Sequence, residues 1–239
     1  ATLYATRDLA TDKYRLETYG KDILIVNEVG IEQSLYFQQL FETEQLLGWI
    51  TDGQRVHVRH GHYRFKDKKM STRKGNVIWL EDVLEEAVNR ASNMSTQQQE
   101  KSLSETIGIG ALKWNDLRRK SELDIVFDWD EILNMEGNSG PYIQYTYARC
   151  KSVLRKAGEY AKETSSQLVQ EELKVLRLLY QFDEVIQNAA KDYSPHVVCT
   201  YLFELAQTYN SFYNTVQILK ADDESQKNFR LQLTEATSL

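Results

Sequence analysis

Apolar positions recur along this chain with two different periods. The stretch "ATRDLATDKYRLETYG" (residues 5–20) reads as a helix closed by Gly20. The apolar run Ile23 to Val26 predicts a buried strand, and Leu35, Phe37, Leu40, Phe41, Leu46 and Leu47 then form a rough helical stripe. In "RVHVRHGHYRF" (Arg55 to Phe65) the alternation is that of another strand. Helix, strand, helix, strand is the order of an α/β unit.

Beyond Gly75 the period becomes helical almost throughout. Leu80, Val83, Leu84, Ala87, Val88 and Ala91 share one face, and the polar run from Asn93 to Glu105 reads as a helix end plus linker. In "GPYIQYTYARCKSVLRKAG" Pro141 suits the first helical position and Gly158 the end. Ile143, Tyr147, Cys150, Leu154 and Ala157 make its stripe, with Tyr147 and Cys150 assigned to packing. Two further stripes follow: Leu173, Leu176, Leu179, Tyr180 and Ile186, then Val198, Tyr201, Leu202, Leu205, Tyr209 and Phe212. The predicted fold is α/β followed by all-α: a partial parallel-sheet domain over 1–88 and a helical bundle over 89–239.

Composition narrows the class. The 239 residues are 41% hydrophobic and 27% charged, with only 2 prolines and 11 glycines, which favours long, seldom-broken helices. A net charge of −6 excludes a generic polyanion binder, so any nucleic acid must be held by local patches. Cys150 and Cys199 lack metal-ligand spacing, and no apolar run reaches membrane length. A reduced cytoplasmic protein without a membrane partner is expected.

One segment departs from that acidic balance. Between Arg55 and Asn76 eight cations (Arg55, Arg59, Arg64, Lys66, Lys68, Lys69, Arg73 and Lys74) face one acid, Asp67, a local charge of +7. Charge alone describes a solvated hairpin equally well. A phosphate-facing loop is the other reading, with lysines as point charges, Ser71 and Thr72 as hydrogen-bonding groups and Gly75 permitting close approach. The spacing is not that of a P-loop.

The words of the loop decide between them. "KMSTR" (Lys69 to Arg73), continuing "KGN", resembles the signature loop of class I aminoacyl-tRNA synthetases in its arginyl-tRNA synthetase form. Thr72 and Arg73 depart from the general Lys-Met-Ser-Lys-Ser pattern but not from the arginine branch. "LYATRDLATDKYR", "EVGIEQSLYFQQLF" and "GNSGPYIQYTYAR" resemble, in order, further segments of the same family. Together the four blocks cover nearly the whole chain.

That resemblance implies a half Rossmann-type catalytic domain followed by an anticodon-binding bundle, and the ATP-dependent joining of arginine to tRNA(Arg). Lys69, Ser71, Thr72 and Arg73 would serve the triphosphate, with Lys74 shared with the tRNA. Tyr4, Asp8 and Gln33 match positions of the arginine pocket, where a carboxylate suits a guanidinium. Read without the family, Asp8 pairs equally with Arg7 or Arg15. Tyr36 stands where the family often has a histidine near adenine, so a ring stack is expected there. His60 and Gly61 are placed near the nucleotide. Tyr142, Tyr145 and Arg149, three and four residues apart, would present an aromatic and cationic face to unstacked bases, and Lys151, Arg155 and Lys156 add charge for phosphates. The cluster "YNSFYN" (Tyr209 to Asn214) reads as core or contact alike.

ATP enters as substrate with its Mg2+; no prosthetic group, protein-held metal or DNA partner is expected. Alternation leaves only His60 and His62 on one strand face, without a carboxylate or cysteine in ligand spacing. The family's His-x-Gly-His motif is absent, and the chain reads as a piece lacking an N-terminal domain and the first half of the catalytic fold, inactive by itself. A non-catalytic tRNA-binding module and an unrelated nucleotide-dependent transferase are the competing classes.

Overall fold

Helix α1 (Tyr4–Tyr19) ends at Gly20, whose φ of 101° lies in the region that glycine alone enters cheaply. Strand β1 (Ile25–Gly30), a 3-10 turn (Ile31–Gln33), helix α2 (Ser34–Leu46) and strand β2 (Arg55–His60) follow. This is the computed structural model of the chain, and it describes residues 3–65, 79–94, 100–162, 168–221 and 223–239. Two compact units result: residues 1–64 with 121–126, and residues 65–120 with 127–239.

In the first unit β1 and β2 pair in parallel, from Ile25 opposite Arg55 to Gly30 opposite His60. The strand thus begins two residues later than the apolar run and extends through Asn27 and Glu28. It is also half-buried: Ile25 is inside, whereas Leu24 and Val26 are exposed. The cause is one-sided cover. Arg55 meets residues of α1 and α2, and the His57 ring lies 4.5 Å from Phe37 of α2. Short strands β3 (Tyr63–Phe65) and β4 (Ile125–Phe127) form a second two-stranded sheet.

The second unit is helical: α3 (Leu80–Ser92), α4 (Lys101–Leu117), α5 (Trp129–Ile132), α6 (Gly140–Ala157), α7 (Gln170–Tyr180), α8 (Phe182–Lys191), α9 (Pro195–Thr215) and α10 (Glu224–Thr237). Small residues let α4 approach its neighbours closely. A Cβ on Gly108 would stand 2.6 Å from the Ala87 carbonyl oxygen of α3, and one on Gly140 2.8 Å from the Ala111 Cα. Helix α6 starts as its sequence suggests, with the Ser139 hydroxyl accepting the Tyr142 N–H at 3.3 Å and Pro141 in the first turn.

The main core joins α6, α7, α9 and α10 through Cys150, Val153, Val175, Leu178, Leu205, Tyr209, Phe212 and Leu231. Two expectations change here. On α7 the buried face is Val175 and Leu178, while Leu176 is exposed and Tyr180 is 89% exposed. Three of the four residues Leu176 to Leu179 are apolar and Arg177 carries a long apolar stem, so the phase is set by packing on α9, not by pattern. Tyr147 likewise does not pack inside: it is exposed, with the Lys151 ammonium 5.3 Å from its ring centre.

Candidate arginine pocket and nucleic-acid interface

In the first unit α1 carries Tyr4 and Asp8 one turn apart, and the structure gives them different surroundings. Tyr4 opens the helix and is 82% exposed. Asp8 is half-buried and accepts a hydrogen bond from the Tyr36 hydroxyl of α2, while Arg15 pairs with Asp12. Burial, then the bond to Asp8 and the charges of Asp8 and Asp12, push the Tyr36 phenol up to about 12. The Tyr36 ring meets Phe37 edge-on at 5.4 Å. Gln33 is exposed at the end of the 3-10 turn that leaves β1, where parallel sheets offer ligand sites.

Beneath this surface lies a charged cluster that the sequence did not reveal. Arg55 is buried with its Nη2 2.7 Å from Asp12 Oδ2 and its Nε 3.4 Å from Glu44 Oε2; its guanidinium covers the Phe41 ring at 4.7 Å. Asp12 also receives Arg15 Nη1 at 2.6 Å. Burial raises Glu44 to about 7, helped by its hydrogen bond to Asp12 and opposed by the charge of Arg55. Burial acts upward on Asp12 too, but hydrogen bonds from Arg55 and Glu44 and the Arg55 charge outweigh it and hold that carboxyl low. The two carboxyls flank one cation, so one of them keeps its proton most easily.

At the far end of β2, His60 Nδ1 lies 2.9 Å from the Gly61 carbonyl oxygen and Nε2 3.6 Å from Glu28. The Gly61 N–H donates to the Ser121 carbonyl at 2.7 Å, and a Cβ there would stand 2.5 Å from the Leu123 carbonyl carbon. The close approach that this glycine permits is therefore to backbone. Asp124 accepts the His62 backbone N–H at 2.8 Å and pairs with Arg64; these two partners hold its carboxyl below the usual range. Among the described residues no group of three His, Cys, Asp or Glu side chains could hold a metal ion. Lys69, Ser71, Thr72, Arg73 and Lys74 lie outside the described residues.

The second unit brings Tyr145 and Arg149 together and adds a partner from α9. The Arg149 guanidinium carbon stands 4.9 Å from the centre of the Tyr145 ring and 4.7 Å from that of Tyr213. Arg149 donates to Asn210 Oδ1 at 2.6 Å and to the Tyr145 hydroxyl at 3.3 Å. Tyr142 takes a different role: its hydroxyl accepts from Asn210 Nδ2 at 3.0 Å and its ring packs on Phe203 at 5.5 Å. Tyr145 and Tyr213 remain 50% and 39% exposed beside an open cleft of about 850 Å³. Lys156 of α6 and Lys220 of the segment after α9 also line it. Two flat rings, a planar cation and two ammonium groups thus border one cleft, groups of the kind that stack on bases and pair with phosphates in general. Of the "YNSFYN" cluster, Tyr209 is fully buried and Tyr213 faces the cleft.

Residues 1–129 match the family described as tRNA synthetases class I (R), catalytic domain, and residues 143–239 match the DALR anticodon binding domain. The chain belongs to the class I tRNA synthetases (R). This synthetase chain is 43% identical to an arginine–tRNA ligase of Clostridium acetobutylicum, over all of its own length and 44% of that protein. It is 41% identical to one of Clostridium botulinum, covering 43% of it. The chain thus spans less than half the length of these curated relatives. Among solved structures, the arginyl-tRNA synthetase of Thermus thermophilus matches with a TM-score of 0.82 at 28% identity, over 90% of this chain and 38% of that one. That of Plasmodium falciparum shares the fold with a TM-score of 0.81 at 23% identity, over 98% of this chain and 41% of that one. Among the described residues of the synthetase chain, no helix is long and apolar enough to cross a membrane.

Proposed function

We propose that this chain works in an arginine–tRNA ligase, supplying one wall of the arginine pocket, the phosphate-facing signature loop and the surface that reads the anticodon of tRNA(Arg). In such a ligase the arginine carboxylate attacks the α-phosphate of ATP and pyrophosphate leaves. The acyl group then passes to the terminal ribose of the tRNA. Charge develops on phosphate oxygens, so fixed cations are needed rather than a protein nucleophile. Lys69, with Ser71, Thr72 and Arg73, is assigned to that task, and Mg2+ enters as part of the ATP substrate, held by phosphate oxygens and water.

Asp8 provides the negative charge for the substrate guanidinium, at the exposed end of a helix that also carries Tyr4. The Tyr36 hydroxyl already donates to Asp8. It orients the carboxylate without neutralising it, because a phenol with so high a pKa keeps its proton. Gln33 adds a planar amide at the end of β1. His60 and Gly61 are assigned to the nucleotide side, and Lys74 to the tRNA. Two buried, unlinked thiols, Cys150 and Cys199, suit the reducing cytoplasm.

The observation that carries the reading is the guanidinium of Arg149 against two tyrosine rings at an open, lysine-bordered cleft, in the part of the chain matched to an anticodon-binding domain. The test is binding of tRNA(Arg) by the chain as it stands, with a tRNA of another identity as control. Preferential binding that weakens with salt is expected; equal binding of both tRNAs overturns the assignment. Arginine-dependent exchange of pyrophosphate into ATP, measured on the ligase with and without Lys69→Ala, separates a catalytic role from a tRNA-binding module. Loss of exchange is expected, and an unchanged rate removes Lys69 from the reaction.

A further inference from the structure

We infer that Asn210 is a positioning residue for anticodon reading, setting the direction in which Arg149 presents its free donors. The inference rests on the RNA-reading role assigned above. Asn210 sits on α9 and touches three residues of α6, the helix that carries Arg149 and Tyr145. Its Oδ1 accepts from Arg149 Nη1 at 2.6 Å, while its Nδ2 donates to the Tyr142 hydroxyl at 3.0 Å and to Thr146 Oγ1 at 2.9 Å.

The amide can face only one way. The Thr146 hydroxyl spends its single proton on the Tyr142 backbone carbonyl at 3.0 Å, so toward Asn210 it is an acceptor. The Asn210 NH2 must therefore point to Thr146, which leaves the carbonyl oxygen for the guanidinium. A flipped amide would set N–H against N–H on one side and oxygen against a committed hydroxyl oxygen on the other. Thr146 is buried, which shields this small network from competing water.

The consequence falls on Arg149. A guanidinium has five N–H donors in one plane. Among the described residues two of its bonds are made, to Asn210 and to the Tyr145 hydroxyl. With the two rings 4.9 and 4.7 Å away limiting where it can move and Asn210 fixing one of its edges, the remaining donors leave in a set direction. A base edge offering acceptors in that direction is accepted, and one offering donors is refused. Without Asn210 the cation would still sit against the rings and still attract phosphate, but it would turn more freely and discriminate less. Affinity for RNA and choice among RNAs therefore separate at this residue.

The test measures the affinity of the chain for a synthetic hairpin bearing the anticodon stem and loop of an arginine tRNA, and for the same hairpin with its anticodon bases changed. The ratio of the two affinities is the readout, together with the slope of affinity against salt. Asn210→Leu is expected to lower the ratio about tenfold, the worth of one hydrogen bond to a charged group, with the salt slope unchanged. Asn210→Asp keeps an acceptor for Arg149, and the Tyr142 hydroxyl can turn its proton to the second carboxylate oxygen, so its ratio is expected to stay near that of the unaltered chain. If Asn210→Leu does not fold, Asn210→Ser, too short to reach the guanidinium, carries the same expectation. An unchanged ratio in Asn210→Leu, or an equal loss in Asn210→Asp, overturns the inference. If Arg149→Met loses selection while Asn210→Leu retains it, only the positioning role fails. If the unaltered chain does not distinguish the hairpins, the RNA-reading assignment fails and takes this inference with it.

Discussion

Two arginines of this chain lie on aromatic rings at nearly the same distance, and they do opposite work. Arg55 covers Phe41 at 4.7 Å in the buried heart of the first unit, with Asp12 and Glu44 beside it. Arg149 lies against Tyr145 and Tyr213 at 4.9 and 4.7 Å in the second, paired with no carboxylate among the described residues and bordering an open cleft. The first cation is neutralised and sealed, and its directional capacity is consumed inside the fold. The second is held by neutral partners, so its charge is still available. A ring contact therefore says little about function; what the guanidinium is paired with says more.

The largest test of that contrast is Arg55→Met. Removing one partner leaves Asp12 buried with Glu44, and stability is expected to fall by about 3–5 kcal/mol, read by chemical denaturation. Replacing all three members together by apolar residues of similar volume should recover most of that loss. A small effect of the single substitution would mean that Arg55 is not the charge that holds the cluster.

Arg149→Ala is expected to do the reverse. Stability should change by less than about 1 kcal/mol, as for a half-exposed side chain, while affinity for tRNA(Arg) drops by about tenfold or more. Equal losses of stability in the two arginine variants would erase the distinction.

The buried cluster also predicts a dependence on pH. The Glu44 pKa is raised in the folded chain to about 7, so its stabilising neutral form is fully present below its unfolded pKa and lost as pH rises through 7. Asp12 acts in the other direction, contributing above its unfolded value and failing only in acid. Between pH 6 and 8 unfolding free energy should therefore decline by on the order of 1 kcal/mol, and Glu44→Gln should flatten the curve. A slope that persists in Glu44→Gln would assign the titration elsewhere. The smallest effect is expected from Tyr36→Phe, which removes one hydrogen bond from Asp8 and should cost about 0.5–1.5 kcal/mol of stability. A larger shift in arginine KM than in stability would tie that hydroxyl to the pocket.

Much of the architecture was legible because period and punctuation agreed. Gly20 and Gly158 do close α1 and α6, and the stripe of α9 from Tyr201 to Phe212 is largely inside. The errors have local causes. The leucine-rich run of α7 offered more than one apolar face, and only the packing partner chose Val175 and Leu178. In β1 the strand was expected, but the polar Asn27 and Glu28 hid its extension to Gly30, which parallel pairing supplies. The site was legible where one helix carried it, as with Tyr145 and Arg149. Tyr213 and Asn210 stand more than sixty positions away along the chain, and no spacing rule links them to α6. Nor did composition distinguish Arg55 from the seven other cations counted with it; burial did.

The glycine at the end of β2 bears on the order of events during synthesis. Gly61 accepts the backbone of Leu123 at a distance no side chain would allow, and the Ile125 N–H reaches the His62 carbonyl at 2.9 Å. Residues 65–120, which belong to the other unit, separate these partners. On the ribosome α1, β1, α2 and β2 can therefore assemble early from neighbours in sequence, while the end of β2 stays open until residue 126 has emerged. The entropic penalty of so long a closure grows only logarithmically, so the delay is one of timing more than of final stability.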